Sequence, residues 1–146
     1  MAIKLTKELL TTEAENQAKI LVGNGKTETT MNQIRKFYND FLILKNKSDL
    51  ATEEVFKNDI LPLIYFAKAK LAYAYGRGNA KIAKEFINDI NSKIDSIENK
   101  RDFNNFINYY QALIGYVTYQ AKIKDEEREQ KEVFNNYRFN YGKTLK

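Results

Sequence analysis

The sequence predicts an all-α protein, a compact bundle of about five helices, and three observations carry that expectation. Apolar residues recur at steps of three and four along most of the chain, and no segment sustains the alternation of a half-buried strand. The connections between periodic segments are two to eight residues long, which suits a bundle, and no internal repeat is visible. With 146 residues, 43% hydrophobic and 29% charged, the chain has the length of one domain and a core of ordinary size. A chain of this length buries about two-thirds of its unfolded surface.

The elements follow in order. A first helix is expected over Lys7 to Val22 with Leu10, Ala14 and Leu21 on one stripe, stopped by Gly23-Asn24-Gly25, since Gly and Asn tolerate the left-handed conformation. A second starts near Thr30 and turns Ile34, Phe37, Phe41 and Leu44 inward, closing over Asn46 to Asp49. Ser48 or Asp49 can cap a short turn through Ala51 to Phe56. Asn58 or Asp59 then starts a long helix that accepts Pro62 in its first turn or kinks there. It is expected to bury Ile60, Leu63, Ile64, Ala67, Leu71 and Ala74 before Gly76-Arg77-Gly78 stops it. A fourth helix, Ala80 to about Asn99, presents Ile82, Phe86, Ile90, Ile94 and Ile97. The fifth takes Asp102 as N-cap and has the strongest stripe: Phe103, Phe106, Ile107, Tyr110, Leu113, Ile114, Val117 and Ala121. The charge run Lys124 to Glu132 reads as a solvated helical extension, and Val133 to Lys146 as a candidate mobile tail. The whole chain is thus read as a single helical domain with its core over about residues 30 to 122.

Missing residue types narrow the chemistry. Without Cys there is no disulfide, thiol nucleophile or Cys-ligated zinc, and without His no imidazole base or ligand. Most hydrolase chemistry is excluded, and no cofactor or metal is expected. Met1 to Leu10 lacks an apolar core followed by a cleavage site, so no secretion signal is read there. The longest apolar run, Ile60 to Phe66, is broken by Pro62 and falls short of the roughly 20 residues that span a bilayer. A cytoplasmic protein is expected. The net charge of +5 accompanies abundant Lys, Asn, Ile, Tyr and Phe, a bias that AT-rich codons also produce, so the placement of the charges matters more than their sum.

Gly25-Lys26-Thr27 resembles the end of a phosphate-binding loop, but Ile20 occupies the first glycine position and a helix precedes it where the motif needs a strand. Asp95 with Glu98, and Glu126 with Glu129, have the spacing of helical Mg²⁺ ligands, yet both sets lie among Lys and Arg at ordinary ion-pair spacing. The basic residues are more telling. No acid occurs between Asp59 and Glu85, whereas Lys68, Lys70, Arg77, Lys81 and Lys84 do. Lys70 and Arg77, seven apart, share one flank of the third helix, with Lys68 on the other beside Tyr75. Arg77 stands between two glycines, where a guanidinium can meet a phosphate bidentately. In the second helix Arg35 points off the core stripe with Lys36 beside it. Tyr109 and Tyr116, seven apart, are placed on the outer side of the fifth helix, where rings can stack on bases, although interface or partly buried tyrosines are the commoner outcome.

Three blocks then carry a resemblance: Gln33 to Tyr38 (QIRKFY); Leu61-Pro62-Leu63 leading to Lys68 to Arg77 (KAKLAYAYGR); and Phe103 to Phe106 (FNNF) leading to Tyr110 to Tyr116 (YQALIGY). In order and spacing they resemble the small subunit of type III-A CRISPR effector complexes, from Thr30 to Lys122. The resemblance implies a non-catalytic helical subunit present in several copies along a ribonucleoprotein, beside backbone and large subunits, with a basic face on the guide and target RNA in antiviral defence. Arg35, Lys36, Lys70 and Arg77 match basic positions of those motifs, and Lys68 and Lys81 join them on local charge. A helical adaptor or homodimeric interaction module with no nucleic-acid role is the alternative.

Overall fold

In the computed structural model, which describes residues 2–23, 31–78 and 82–144, the helical expectation holds throughout. The helices are α1 (Ala14–Val22), α2 (Met31–Asp49), α3 (Glu53–Val55), α4 (Leu61–Gly76), α5 (Lys84–Asp95) and α6 (Lys100–Thr144). Two π-helical segments, Leu9–Glu13 and Phe56–Ile60, run directly into α1 and α4, so five helical rods form the bundle. The described residues contain no strand. Thr30, Gly25-Lys26-Thr27, Ala80 and Lys81 lie outside the described residues.

Both π segments correct the sequence reading, and for one reason. A π turn bonds i to i+5 and inserts one extra residue into the helical phase. Leu9, five before Ala14, therefore joins the buried stripe Ala14, Ala18 and Leu21, and Leu10 is displaced to its edge. In the second segment the Leu61 N–H reaches back to the Phe56 carbonyl just before Pro62, which brings no N–H of its own. The helix therefore does not restart at Asn58 or Asp59; it runs unbroken from Glu53. Its cap is Thr52, whose Oγ1 accepts from the Val55 N–H at 3.2 Å, rather than Ser48, which is buried, or Asp49.

The helix ends follow local chemistry. Gly23 closes α1 with φ +52°, where a Cβ would stand 3.1 Å from the Ile20 carbonyl oxygen. Gly78, with φ +77°, follows the end of α4 at Gly76. At the start of α6 the cap is Asn99, whose Oδ1 accepts from the Asp102 N–H at 2.8 Å. Asp102, placed in the first turn, reaches back to the Glu98 N–H at 3.0 Å. Asn99 is therefore the N-cap, and Asp102, inside the first turn, holds the residue before it rather than capping the helix itself.

The core is aromatic and centred on α6. Phe103, Phe106 and Tyr110 are fully buried, Phe41 of α2 meets Phe106 edge-on at 4.9 Å, and Phe86 of α5 meets Tyr110 edge-on at 6.1 Å. Phe56 packs on Phe103 at 6.0 Å. Such rings contribute both area and preferred geometry. The α1 and α2 helices lie on α6, and α4 lies on α5 and beside α2. The stripes of α2 and α4 are largely as expected: Ile34, Phe37 and Phe41, then Ile60, Ile64, Ala67, Leu71 and Ala74, are buried. Leu44 is half-buried, and Leu63 is exposed on the groove side of α4. All five expected apolar positions of the fourth segment are buried, but the helix is shorter than the expected Ala80 to Asn99, and Ile82 stands just before α5 and Ile97 just past its end. The charge run is helical and exposed as expected, and α6 also continues through the expected tail to Thr144.

A candidate nucleic-acid interface between α2 and α4

The sequence positions the site through two pins. The Tyr110 hydroxyl donates to the Ile34 carbonyl at 2.6 Å, fixing the first turns of α2 on α6, and the Tyr65 hydroxyl donates to the Ile97 carbonyl at 2.6 Å, fixing α4 on the α5–α6 junction. With Phe37 and Ala74 buried behind it, the seam between α2 and α4 opens outward as a groove of about 510 Å³. Lys36, Lys70 and Arg77 line it with Phe66, Tyr73 and Asp40. A smaller concavity of about 170 Å³ continues it toward Leu63 and Ile43, sharing Phe37, Asp40, Phe66 and Lys70.

Two of the three cations rest on the ring one turn before them. Lys70 Nζ stands 5.6 Å from the Phe66 centroid, and the Arg77 guanidinium carbon 5.7 Å from that of Tyr73. Exposed cation–π contacts of this kind are worth about 0.5–1 kcal/mol, enough to bias long side chains toward the rim. Phe66 and Tyr73 are 56% and 69% exposed, unusually open for such large rings. The groove therefore offers cations for anionic oxygens and ring faces for planar groups. Asp40 brings one carboxylate into it.

The structure thus unites three of the six basic residues singled out from sequence: Lys36, Lys70 and Arg77. Arg35 is exposed on the adjoining surface of α2 without lining the groove. Lys68 faces α5, where its Nζ pairs with Asp95 at 2.5 Å. Lys81 lies outside the described residues. The same Lys68–Asp95 pair occupies one of the carboxylates considered for Mg²⁺, and among the described residues no group of three or more metal-ligating side chains stands together.

Tyr109 corrects the sequence reading outright. It is fully buried, donating to Asp89 Oδ2 at 2.6 Å, and Lys93 lies over its ring at 4.1 Å while pairing with Asp89 at 2.7 Å and Glu13 at 2.9 Å. Burial first, then the Asp89 carboxylate, drives its hydroxyl pKa far above the ordinary tyrosine value. This brace ties the N-terminal π turn, α5 and α6 together. Tyr116 is half-buried against the core. Sequence reasoning missed Phe66, Tyr73 and Asp40 in the groove; the two rings had a signal available, since Phe66 and Tyr73 precede Lys70 and Arg77 by four residues, the spacing of helical neighbours.

Fold and groove together define a small all-helical protein with one surface seam of cations and aromatic rings. Comparison with protein families makes this specific: residues 4–135 match the family model described as Csm2, type III-A, and the chain belongs to the Csm2 family, the small subunit of type III-A CRISPR effector complexes. No curated protein and no solved structure matches the chain. The family match reaches beyond the three blocks that carried the resemblance, taking in α1 and the whole charge run. No helix among the described residues is long and apolar enough to cross a membrane.

Proposed function

We propose that this chain is a non-catalytic, RNA-contacting structural subunit of its type III-A complex, acting in the cytoplasm in antiviral defence. It holds guide and target RNA by their phosphates along the α2–α4 groove, beside the backbone and large subunits and further copies of itself. The observation that carries the reading is the convergence of Lys36, Lys70 and Arg77 in one groove with two open rings. Phosphate contacts suit a subunit that must accept any guide, because base-edge contacts would make it sequence-selective. Several copies on one RNA make weak single contacts sufficient, each later contact being effectively intramolecular. Arg35 extends the basic surface along α2, while Lys68 and Lys81 remain contributors on charge alone.

The test is RNA affinity of the assembled complex against salt, with Lys70→Ala and Arg77→Ala combined in this subunit. Log affinity should fall less steeply with log salt, by about 0.7 to 0.9 per lost phosphate contact and copy. Asp40→Asn should strengthen binding. An unchanged slope and affinity in an intact complex would remove the groove from the RNA path.

A further inference from the structure

Phosphate contacts account for the cations of the α2–α4 groove but not for its rings. The stripe Ile64, Ala67, Leu71 and Ala74 seats α4 on the bundle, yet Phe66 and Tyr73 stand outside that stripe and more than half open to solvent. Tyr65, also exposed, has a structural task, since its hydroxyl holds the Ile97 carbonyl. Phe66 and Tyr73 instead line the groove with Lys36, Lys70 and Arg77. Lys70 Nζ and the Arg77 guanidinium carbon stand 5.6 and 5.7 Å from the two ring centroids, so each open ring comes with its own positive charge. No acid occurs anywhere along α4. The rings are seven residues apart, two helical turns or about 10 Å along the axis. That distance matches about three base steps of a stacked strand.

We propose that the groove takes unpaired RNA, a single strand whose bases stack on Phe66 and Tyr73 while Lys36, Lys70 and Arg77 follow its phosphates. This rests on the RNA reading of the groove and narrows the ligand from RNA in general to single strands. The physical reason is access to the face of the base. In a double helix each base is covered above and below by its neighbours, so side chains meet mainly phosphates and sugar hydroxyls. An unpaired nucleotide leaves its face free, and a positively charged groove set with aromatic rings is the arrangement that holds single strands. Stacking also lets any guide be accepted, because every base presents a π-face. Asp40 repels phosphates on the α2 wall, which leaves the ring–cation pairs of α4 as the track for the strand.

Fluorescence titration of the full chain at low salt tests it, using an unstructured single-stranded RNA that carries a fluorescent base analogue and the same strand annealed to its complement. The single strand should bind more tightly than the duplex, and the analogue should be quenched as it stacks. Phe66→Leu/Tyr73→Leu should weaken single-strand binding by about 5- to 100-fold, the effect of losing base stacking on a ring, and leave duplex affinity and the salt slope unchanged. Phe66→Tyr/Tyr73→Phe, which keeps both rings, should bind like the parent chain. Equal affinity for the two RNAs, including none for either, overturns the proposal, as does a ring-less variant that binds the single strand like the parent. If Lys70→Ala/Arg77→Ala still loses affinity in that case, the phosphate reading of the groove survives without the stacking; if neither pair of residues matters, the RNA reading fails with it. A ring-less variant that keeps its RNA affinity but no longer joins the assembled complex would assign the rings to a protein neighbour instead.

Discussion

The two halves of α6 are one continuous helix with opposite fates. From residue 103 to 117 its large apolar side chains are enclosed by α1, α2 and α5, whereas from 125 to 141 comparable rings stand in solvent. The difference is not apolar content, since Phe134, Tyr137, Phe139 and Tyr141 rival Phe103, Phe106, Tyr109 and Tyr110. It is reach: no other described helix extends past residue 124 to cover them. The first half is helical because packing and the Asn99 cap hold it. The second relies on helix formers and on spacings such as Glu127 to Lys131, which add only a few tenths of a kcal/mol each.

Matched truncations sharpen this contrast most. Phe106→Ala should cost about 3–5 kcal/mol, the transfer and cavity terms of a fully buried ring. Phe139→Ala, at a 63% exposed position of the same helix, should change stability by less than about 0.5 kcal/mol. Denaturant melts of both decide it, and equal losses would mean the outer half is enclosed in solution.

A smaller effect belongs to the buried brace. Tyr109→Phe leaves Asp89 Oδ2 without its donor and should cost about 1–3 kcal/mol near neutral pH. The pH dependence has a definite sign. The folded state keeps the Tyr109 proton, and that of Tyr110, whose burial likewise raises its pKa, where the unfolded chain loses them. Their contribution is fully present below about pH 10 and is lost as pH rises beyond it. Tyr109→Phe should therefore flatten the alkaline fall in melting temperature, and an unchanged slope would mean the hydroxyl ionises freely. Asn99→Ala should cost about 0.5–2 kcal/mol from the lost cap. Hydrogen exchange should place that loss in the first turn of α6 and leave residues past 124 as they were.

Legibility in the sequence followed the range of the forces involved. The stripes of α2, α5 and the inner half of α6 could be read because they follow one unbroken helical period. Leu10 and Leu63 failed where phase or neighbours intervened: a π turn handed the buried place to Leu9, and Leu63 stands where α2 and α4 open into a groove. Tyr109 was assigned to the outer face because its partners, Asp89 and Lys93, come from another helix, about 20 residues away along the chain. In the site, Lys36, Lys70 and Arg77 were legible as cations off the core stripes. That Lys68 turns to Asp95, and that Asp40 enters the groove, depends on how the helices cross, which no local pattern encodes.

The seam between α1 and α6 sets the order in which the chain can become itself. Asn105 donates to the Ile3 carbonyl at 2.8 Å and Lys93 holds Glu13, so the first helix finds its seat only on segments 102 and 80 residues further along the chain. During synthesis α1 precedes its seat on α6 and waits while α2 and α4 assemble without the aromatic spine of Phe103, Phe106 and Tyr110. The core therefore closes only once residues 103–117 arrive, and the apolar faces of the earlier helices stay open until then.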